Sequence, residues 1–213
     1  MNKRQLQRRD TRRNLAEHAL RLFEERGFDE TTVDDIADAA GVSPRTFFLH
    51  FPTKVAAAFP DHADRVDAFV SRLAARPEGV DPLLYLIDTL TASLDTASPL
   101  RVRRYRLLST VQALSDEDAR TDRDYEEAAA RYLSDVWGQS PEARLRARAV
   151  ANAALGIIRA SLIAWSVDGI DPALAARDMM HRMFGSPFVL PVQSVQSLQP
   201  TAFRNRLDTA ASA

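Results

Sequence analysis

The residues with the most distinctive chemistry lie in one short stretch, GVSPRTFFLHF, at residues 41–51. Its arginine, threonine and histidine carry groups that can bind phosphate oxygens or the edges of bases. On a helix that turns about 100° per residue, the arc away from Phe47 collects the side chains suited to a partner: Pro44, Arg45, Phe48 and Leu49, with Thr46 and His50 beside them. This pattern fits a helix that binds nucleic acid, and it also fits a generic short amphipathic helix.

Catalytic chemistry has little support elsewhere in the chain. The histidines lie in separate predicted helices without metal-ligand spacing, at His18, His50, His62 and His181. There is no cysteine for a thiolate, no glycine-rich phosphate loop and no nucleophile motif. The acids of Asp116–Asp118 are typical of a helix start, which the helix dipole favours. We therefore expect no catalytic residue, no metal site and no cofactor, and interpret the chain as a non-enzyme.

Composition favours a soluble globular protein, because 46% of the 213 residues are hydrophobic and 27% are charged. Inspection finds no apolar run near the ~20 residues of a membrane helix, and no signal peptide at the start. The cytoplasm is thus the expected location, without a membrane partner. The net charge is −1, but residues 1–13 hold six basic side chains against Asp10 alone. This basic arm is either a solvated tail or a segment that meets phosphates.

Helical periodicity dominates the chain. Apolar residues from Leu15 to Phe23 share one helical face that ends near Gly27, and a second stripe from Val33 to Ala40 stops at Gly41. Thr31 or Thr32 can cap this second helix, with Asp34 or Asp35 three residues on to complete a capping box.

A capping residue followed by proline marks five further helix starts: Ser43–Pro44, Asp81–Pro82, Ser98–Pro99, Ser140–Pro141 and Asp171–Pro172. The remaining helices are predicted at roughly 53–76, 82–95, 99–114, 117–137, 141–168 and 172–184. Pro60 should kink or restart the first of these. Residues 75–82 read as a loop, and residues 185–213 as a poorly ordered tail. The fold class is therefore all-α, with about nine helices.

Residues 12–54 resemble the N-terminal domain of the tetracycline-repressor (TetR) family of transcriptional regulators. The resemblance rests on the A-x-x-L-F-x-x-x-G-F of 19–28, the T-T-V-x-D-I-A-x-x-A-G-V-S of 31–43 and the T-F-F-x-H-F-x-x-K of 46–54. Residues 31–51 also follow the helix-turn-helix plan, in which a short turn with glycine precedes the helix that enters a DNA major groove.

The resemblance implies which side chains meet DNA. Groove-facing positions match Pro44, Arg45, Phe48 and Leu49, phosphate-contacting positions match Thr46, His50 and Lys54, and Thr32 at the start of the second helix joins them. Phe47 and Phe51 should instead hold the helix to its domain. Phe48 stands where the family usually has tyrosine, and Val55 where an acid commonly follows the lysine.

The family plan implies a DNA-binding domain at 1–52 and a ligand-binding and dimerisation domain at 53–184. Residues 147–164 are nearly uncharged and rich in alanine, which favours a helix packed on a partner subunit or inside its own. The predicted homodimer contacts are Ala153, Gly156, Ala160, Met180 and Phe184. Aromatic residues predicted to line an effector pocket are Tyr85, Tyr105, Trp137 and Trp165. The arginines at 101, 103, 104 and 106 could recognise an anionic effector or form a solvated helix face.

Two classes of function compete. The first is a homodimeric, ligand-responsive regulator, most often a repressor in this family, that binds a pseudo-palindromic operator in double-stranded DNA and an unknown small-molecule effector. The second is an all-α ligand-binding or enzymatic protein whose N-terminal helices serve assembly only. Salt-dependent binding to a palindromic duplex separates them, because only the first predicts it.

Overall fold

A computed structural model describes residues 3–94 and 98–184, and the tail predicted at 185–213 lies outside these described residues. Within them the chain forms nine α-helices and no strand, which confirms the all-α class. The helices are α1 Lys3–Arg26, α2 Val33–Ala39, α3 Pro44–His50, α4 His62–Ala74, α5 Pro82–Ala92, α6 Pro99–Leu108, α7 Gln112–Trp137, α8 Pro141–Asp168 and α9 Pro172–Phe184.

All five pairs of a capping residue and proline start a helix, with proline in its first turn. Ser43, Asp81, Ser140 and Asp171 each accept hydrogen bonds from amides of that turn. The side chain of Ser98 makes no such bond. These caps satisfy amides that have no partner within the helix, and the proline removes one such amide altogether.

The basic arm is helical from Lys3 onward, because α1 begins there rather than after the arm. Residues 3–13 are therefore not a disordered tail, although most of their side chains are solvated. Its basic side chains from Lys3 to Arg9 are exposed on the first turns of α1.

The helix predicted over 53–76 is broken in two. A short 3₁₀ helix, Ala56–Ala58, precedes α4, which starts at His62. Pro60 lies between them, and proline removes an amide donor and clashes with the preceding turn, as the sequence indicated. The predicted start of α7 was also wrong. This helix begins at Gln112, so the acids Asp116–Asp118 lie in its second turn.

The described residues up to Met180 form one compact unit, and residues 181–184 continue α9. In this unit α1 packs on α2, α3, the 3₁₀ helix and α6, whereas α7 and α8 form the most extensive helix pair. Leu15, Leu20, Ile36 and Phe47 are fully buried where the first three helices meet. Helices α4, α5 and α6 pack around the α7–α8 pair.

Helix α8 is long and apolar enough to cross a membrane by composition, with a mean hydropathy of 1.5 over 18 residues. The expectation that the chain has no apolar run near the length of a membrane helix was therefore wrong when judged by hydropathy. In the structure α8 packs on α5, α6 and α7. A helix buried inside a globular protein has the same composition.

Candidate nucleic-acid interface and interior cavity

The turn between α2 and α3 has a geometry that fixes the two helices relative to each other. Gly41 adopts φ +69°, and the amides of Gly41 and Val42 donate to the carbonyls of Asp38 and Ala37 at 3.1 and 2.9 Å. This is a Schellman arrangement, whose left-handed residue is usually glycine because a Cβ is strained there. At the other end of α2, Thr32 and Asp35 form the predicted capping box.

Helix α3 separates its phenylalanines as expected. Phe47 and Phe51 are buried to 0% and 1% exposure, whereas Phe48 and Leu49 are 57% and 67% exposed. Arg45 is also exposed, next to the Ser43 cap that begins the helix. The apolar and cationic side chains that face solvent therefore occupy one side of a seven-residue helix whose other side is anchored in the core.

Arg12 holds the end of α3, which sequence reasoning did not anticipate. Its Nη1 donates to the carbonyl of His50, and its Nε donates to the carbonyl of Pro60 at 3.0 Å. The guanidinium also lies 4.4 Å from the centroid of the Phe51 ring. Arg12 therefore bridges α1, the C-terminus of α3 and the segment before α4, so its guanidinium has a structural role in the free protein.

His50 lies at the last turn of α3 in a cationic environment. Burial lowers its pKa below the ordinary value, and the charges of Arg12 and Arg8 lower it further. Its Nδ1 is buried and has no hydrogen-bond partner among the described residues. The imidazole is therefore disposed to be neutral at pH 7, and an approaching anion would favour its protonated form.

Lys54 does not lie at the start of a fourth helix, as predicted, but in the turn before the 3₁₀ helix. Its ammonium donates to the carbonyls of Phe28 and Thr31 at 2.7 and 2.9 Å, and it lies 4.3 Å from the centroid of the Phe28 ring. The side chain thus fastens the loop between α1 and α2. Asn14 acts similarly, because its amide donates to the carbonyl of Ala40 in the turn.

A cavity of about 170 Å³ lies among α4, α5, α6, α7 and α8. Of the four predicted pocket residues, only Tyr105 lines this cavity. The other aromatic residues in its wall are Phe69 and Tyr125. Tyr85, Trp137 and Trp165 do not line it. The Tyr85 hydroxyl donates to the carbonyl of Arg72, and the Trp137 ring lies under the guanidinium of Arg146.

Charged side chains contribute to the cavity wall. Arg101, which lines the cavity, and Arg104, which does not, are 8% and 4% exposed, so the interpretation of their cluster as a solvated face is wrong for these two. Asp118 and Asp122 line the cavity one turn apart on α7. Burial raises the pKa of Asp118, and burial together with the Asp118 charge raises the pKa of Asp122 to about 7.

Helical spacing could have revealed these groups. Arg101, Arg104, Tyr105 and Leu108 recur at the i, i+3, i+4, i+7 positions of a single face. Asp118, Asp122, Tyr125 and Ala129 recur in a similar way on α7. The charges themselves concealed the pattern, because charged residues are almost never fully buried unless paired.

The predicted dimer contacts lie in different environments. Met180 is fully buried within its own chain, which removes it from the candidates for a surface contact. Ala160 is exposed, and Ala153, Gly156 and Phe184 are partly exposed. A Cβ added at Gly156 would meet nothing within 4 Å, so this glycine faces open space in the single chain.

The fold and the α2–turn–α3 geometry define a helix-turn-helix protein with an all-α body. Residues 15–56 match the model of a family described as bacterial regulatory proteins, tetR family. The N-terminal domain of this chain is therefore similar to that of this family.

A similar protein extends this comparison beyond the family model. The chain is 41% identical over 91 residues to the HTH-type transcriptional regulator TcmR of Streptomyces glaucescens. The aligned part is 43% of this chain and 40% of that protein, so the match spans less than half of either.

Two solved structures share the fold over nearly their whole length. NalD of Pseudomonas aeruginosa, the secondary repressor of the MexAB-OprM multidrug efflux pump, has a TM-score of 0.58 at 22% identity, covering 83% of this chain and 96% of its own. FadR of Thermus thermophilus, a TetR-family repressor in complex with lauroyl-CoA, has a TM-score of 0.53 at 21% identity, covering 86% and 98%.

Lys54→Met tests the structural role of this ammonium. The substitution keeps the length of the side chain but removes the donor to the carbonyls of the α1–α2 loop. We expect the free energy of unfolding to fall by about 1–2 kcal/mol, the range for a hydrogen bond to a charged group that is partly exposed. Urea unfolding measures it.

Arg45→Met is the matched control, because Arg45 is exposed and should change stability by less than about 0.5 kcal/mol. Equal stabilities for the two variants would show that the Lys54 bonds contribute nothing to the fold.

Proposed function

We propose that this protein is a DNA-binding transcriptional regulator, with residues 1–52 as the DNA-binding part and residues 53–184 as a ligand-responsive body. The observation that carries the proposal is the orientation of α3. Phe47 and Phe51 anchor the helix in the core, and Arg45, Phe48 and Leu49 project from it beside a rigid glycine turn. This is the geometry that a recognition helix needs to enter a major groove.

Individual roles follow from chemistry and position. Arg45 can pair in a bidentate manner with guanine, and Phe48 and Leu49 can contact thymine methyl groups. Thr46 and Thr32 lie at the N-terminal ends of α3 and α2, where hydroxyls and amides can meet phosphates. His50 in the last turn of α3 can meet a phosphate through its imidazole, and Pro44 faces the groove. Lys54 is proposed to contact a phosphate with its ammonium, which in the free protein donates to the carbonyls of Phe28 and Thr31.

The body supports a response to a ligand. Its cavity has aromatic and charged walls, and the structurally similar FadR holds lauroyl-CoA. A ligand would act by binding one arrangement of the DNA-binding parts more tightly than another. We propose a repressor in the cytoplasm, without enzymatic activity. An all-α ligand-binding protein whose first three helices serve assembly remains the rival, and it predicts no salt-dependent binding to duplex DNA.

A homodimer is proposed because α8 and α9 expose apolar side chains. Val167, Ile170 and Leu174 are 65%, 48% and 67% exposed around the α8–α9 turn. Along α8, Gly156 and Ala160 precede the exposed Ile163 on the same face. Contiguous apolar patches commonly mark protein interfaces. A two-fold dimer would present two copies of α3 to successive major grooves about 34–36 Å apart.

Arg45→Ala should reduce affinity for a selected palindromic duplex by about 1–3 kcal/mol and relax preference at one symmetric pair of positions. Fluorescence anisotropy on a duplex selected from a random pool measures both effects. Arg131→Ala is the control, because Arg131 is exposed on α7 and should leave affinity unchanged. An equal loss on selected and random duplexes would make Arg45 a phosphate contact instead.

DNA affinity should rise as the pH falls from about 8 to 6. The pKa of His50 is lowered in the free protein, and a bound phosphate raises it, so binding takes up a proton. The stability of the free protein changes with pH in the opposite direction. The folded state binds the His50 proton less readily than the unfolded state, so a lower pH destabilises the folded state. The contribution of His50 to stability is thus lost as the pH falls through about 6.5.

His50→Gln is the control for this pH dependence. The glutamine can still donate to a phosphate but does not titrate, so its affinity should be flat over the same range at constant salt. A pH profile identical to that of the wild type would exclude His50 as the titrating group.

Gly156→Leu tests the dimer. Open space faces Gly156 in the single chain, so the larger side chain should not clash within the protomer. In a close helix pair with a second copy, the added volume should cost about 1–3 kcal/mol of association free energy. Sedimentation velocity and duplex titration on one sample should show weaker dimerisation together with weaker DNA binding.

Ala74→Leu at the exposed end of α4 is the matched control. A Gly156→Leu protein that stays dimeric and binds DNA normally would place the interface away from this part of α8.

A further inference from the structure

Three arginines line the interior cavity. Arg65 and Arg72 lie seven residues apart on one face of α4, and Arg101 lies on α6. Arg72 is exposed and therefore lies where the cavity opens to solvent, whereas Arg101 is buried. A molecule that enters this cavity thus meets guanidinium groups at the opening and in the interior.

Two of these arginines have donors that the protein leaves available. The Nε of Arg65 is buried and has no hydrogen-bond acceptor among the described residues, although Asp61 lies 3.4 Å away as an ion-pair partner. The guanidinium of Arg72 forms no hydrogen bond or ion pair within the described part of the chain. A buried donor without an acceptor costs free energy, and native proteins rarely retain one without a reason. The unmet demand in the cavity is therefore for a hydrogen-bond acceptor.

The charge of the cavity wall is positive. Its acidic members are Asp118 and Asp122 on α7. Burial raises the pKa of Asp118, and burial together with the Asp118 charge raises the pKa of Asp122 to about 7, so the wall carries fewer than two negative charges at pH 7. Outside the wall, Asp61 beside Arg65 and Arg159 beside Asp122 offset each other. A cation would add to this excess of positive charge, whereas an anion would reduce it.

The rest of the wall is largely apolar and encloses a small volume. Its apolar members include Phe69, Leu90, Leu155, Ile158 and Leu162. The volume of about 170 Å³ is close to the ~150 Å³ of an engineered protein cavity that binds benzene. An inorganic anion would leave this apolar surface unfilled, and a drug-sized molecule would not fit. The cavity therefore suits a compact apolar body that carries one anionic group.

We propose that this cavity binds a small monocarboxylate with an apolar body about the size of one ring, whose carboxylate accepts hydrogen bonds from the arginines of the wall and whose body packs against Phe69. Guanidinium groups match the geometry of a carboxylate through paired donors, which favours this anion. The inference rests on the proposed role of the cavity as the effector site, and it commits that site to a ligand class.

Benzoate and hexanoate are the probes, since they carry the same anionic group on a ring and on a chain. Benzamide removes the charge of benzoate, benzylamine reverses it, and inorganic phosphate lacks an apolar body. At about ten times its Kd and constant ionic strength, a bound carboxylate should raise the unfolding temperature of the full-length protein by about 3–6 °C. Equal or greater stabilisation by benzamide, benzylamine or phosphate, or none by either carboxylate up to millimolar concentration, overturns the proposal.

Asp122→Asn separates a carboxylate site from a cation site. The charged groups around Asp122 are Asp118 and Glu126 on α7, Arg159 on α8 and Arg65 on α4. A bound carboxylate favours the protonated form of Asp122, whose pKa is about 7, so the affinity of the wild type for benzoate should rise about tenfold as the pH falls from about 8 to 6. The variant lacks this charge and should bind benzoate about tenfold more tightly than the wild type at pH 8 and equally at pH 6. A variant that binds benzoate no more tightly at pH 8 contradicts the proposal.

Arg72→Gln tests the guanidinium at the opening. It should weaken benzoate about two- to fivefold, the range for a partly exposed ion pair. The unfolding temperature without benzoate should not fall, because the Arg72 side chain has no partner among the described residues. Arg131→Gln is the matched control, since Arg131 is exposed on α7 outside the cavity. Equal benzoate affinities for the two variants count against the proposal.

Salt-dependent binding of a duplex is measured on the same samples. Loss of duplex binding with retained benzoate binding counts against the regulator alone. Retained duplex binding without binding of either carboxylate counts against the carboxylate site alone.

Discussion

The arrangement of the N-terminal helices depends on one guanidinium. Arg12 joins three segments that are distant in sequence, because it donates to the carbonyls of His50 and Pro60 and covers the ring of Phe51. The carbonyl of His50 belongs to the last turn of α3, where backbone acceptors lack helical partners and a cation is favoured by the helix dipole. Without this contact the end of α3 would be held mainly by the packing of Phe47 and Phe51.

Residues 58–61, which Arg12 contacts through the carbonyl of Pro60, are also contacted by side chains of the body. Arg104 donates to the carbonyl of Ala58 at 3.3 Å and lies 5.0 Å from the centroid of the Phe59 ring. Arg65, which lines the cavity, pairs with Asp61. Residues 58–61 are thus contacted by arginines from both the cavity wall and α1. This gives a physical connection between the cavity and α3, although a connection becomes a signal only if a ligand favours one of two arrangements of the segment.

Much of the fold was predictable because its signals are local. Ser43, Asp81, Ser140 and Asp171 cap helices through side chains next to proline, and Gly41 permits the one left-handed residue that the turn needs. Periodicity likewise placed Phe47 inside and Phe48 outside. Neither signal depends on the rest of the chain, so both can be read before any tertiary contact is known.

The contacts of Arg12 and Lys54 were not predictable for the same reason. Each side chain binds backbone carbonyls more than 20 residues away in sequence, and no local pattern marks a carbonyl that will need a donor. Long basic side chains are also expected at the surface, so their partly buried positions run against the general rule. For Lys54 the family resemblance predicts a phosphate contact, and nothing in the sequence predicts its carbonyl partners in the α1–α2 loop.

The two parts of the chain differ in the buried charges that they hold. Around α3, the side-chain nitrogens of Arg12, Asn14 and Lys54 all donate to backbone carbonyls, which stabilises a fixed arrangement of helices, while His50 Nδ1 has no partner among the described residues. In the body, the buried Nε atoms of Arg65 and Arg104 have no acceptor among the described residues, and like charge from Asp118 adds to the raised pKa of Asp122. A core selected only for stability would replace such charged groups with apolar side chains, as buried ion pairs can often be replaced. The retention of unfavourable groups beside a cavity is the expected compromise where a protein keeps a site for a molecule that it does not always hold.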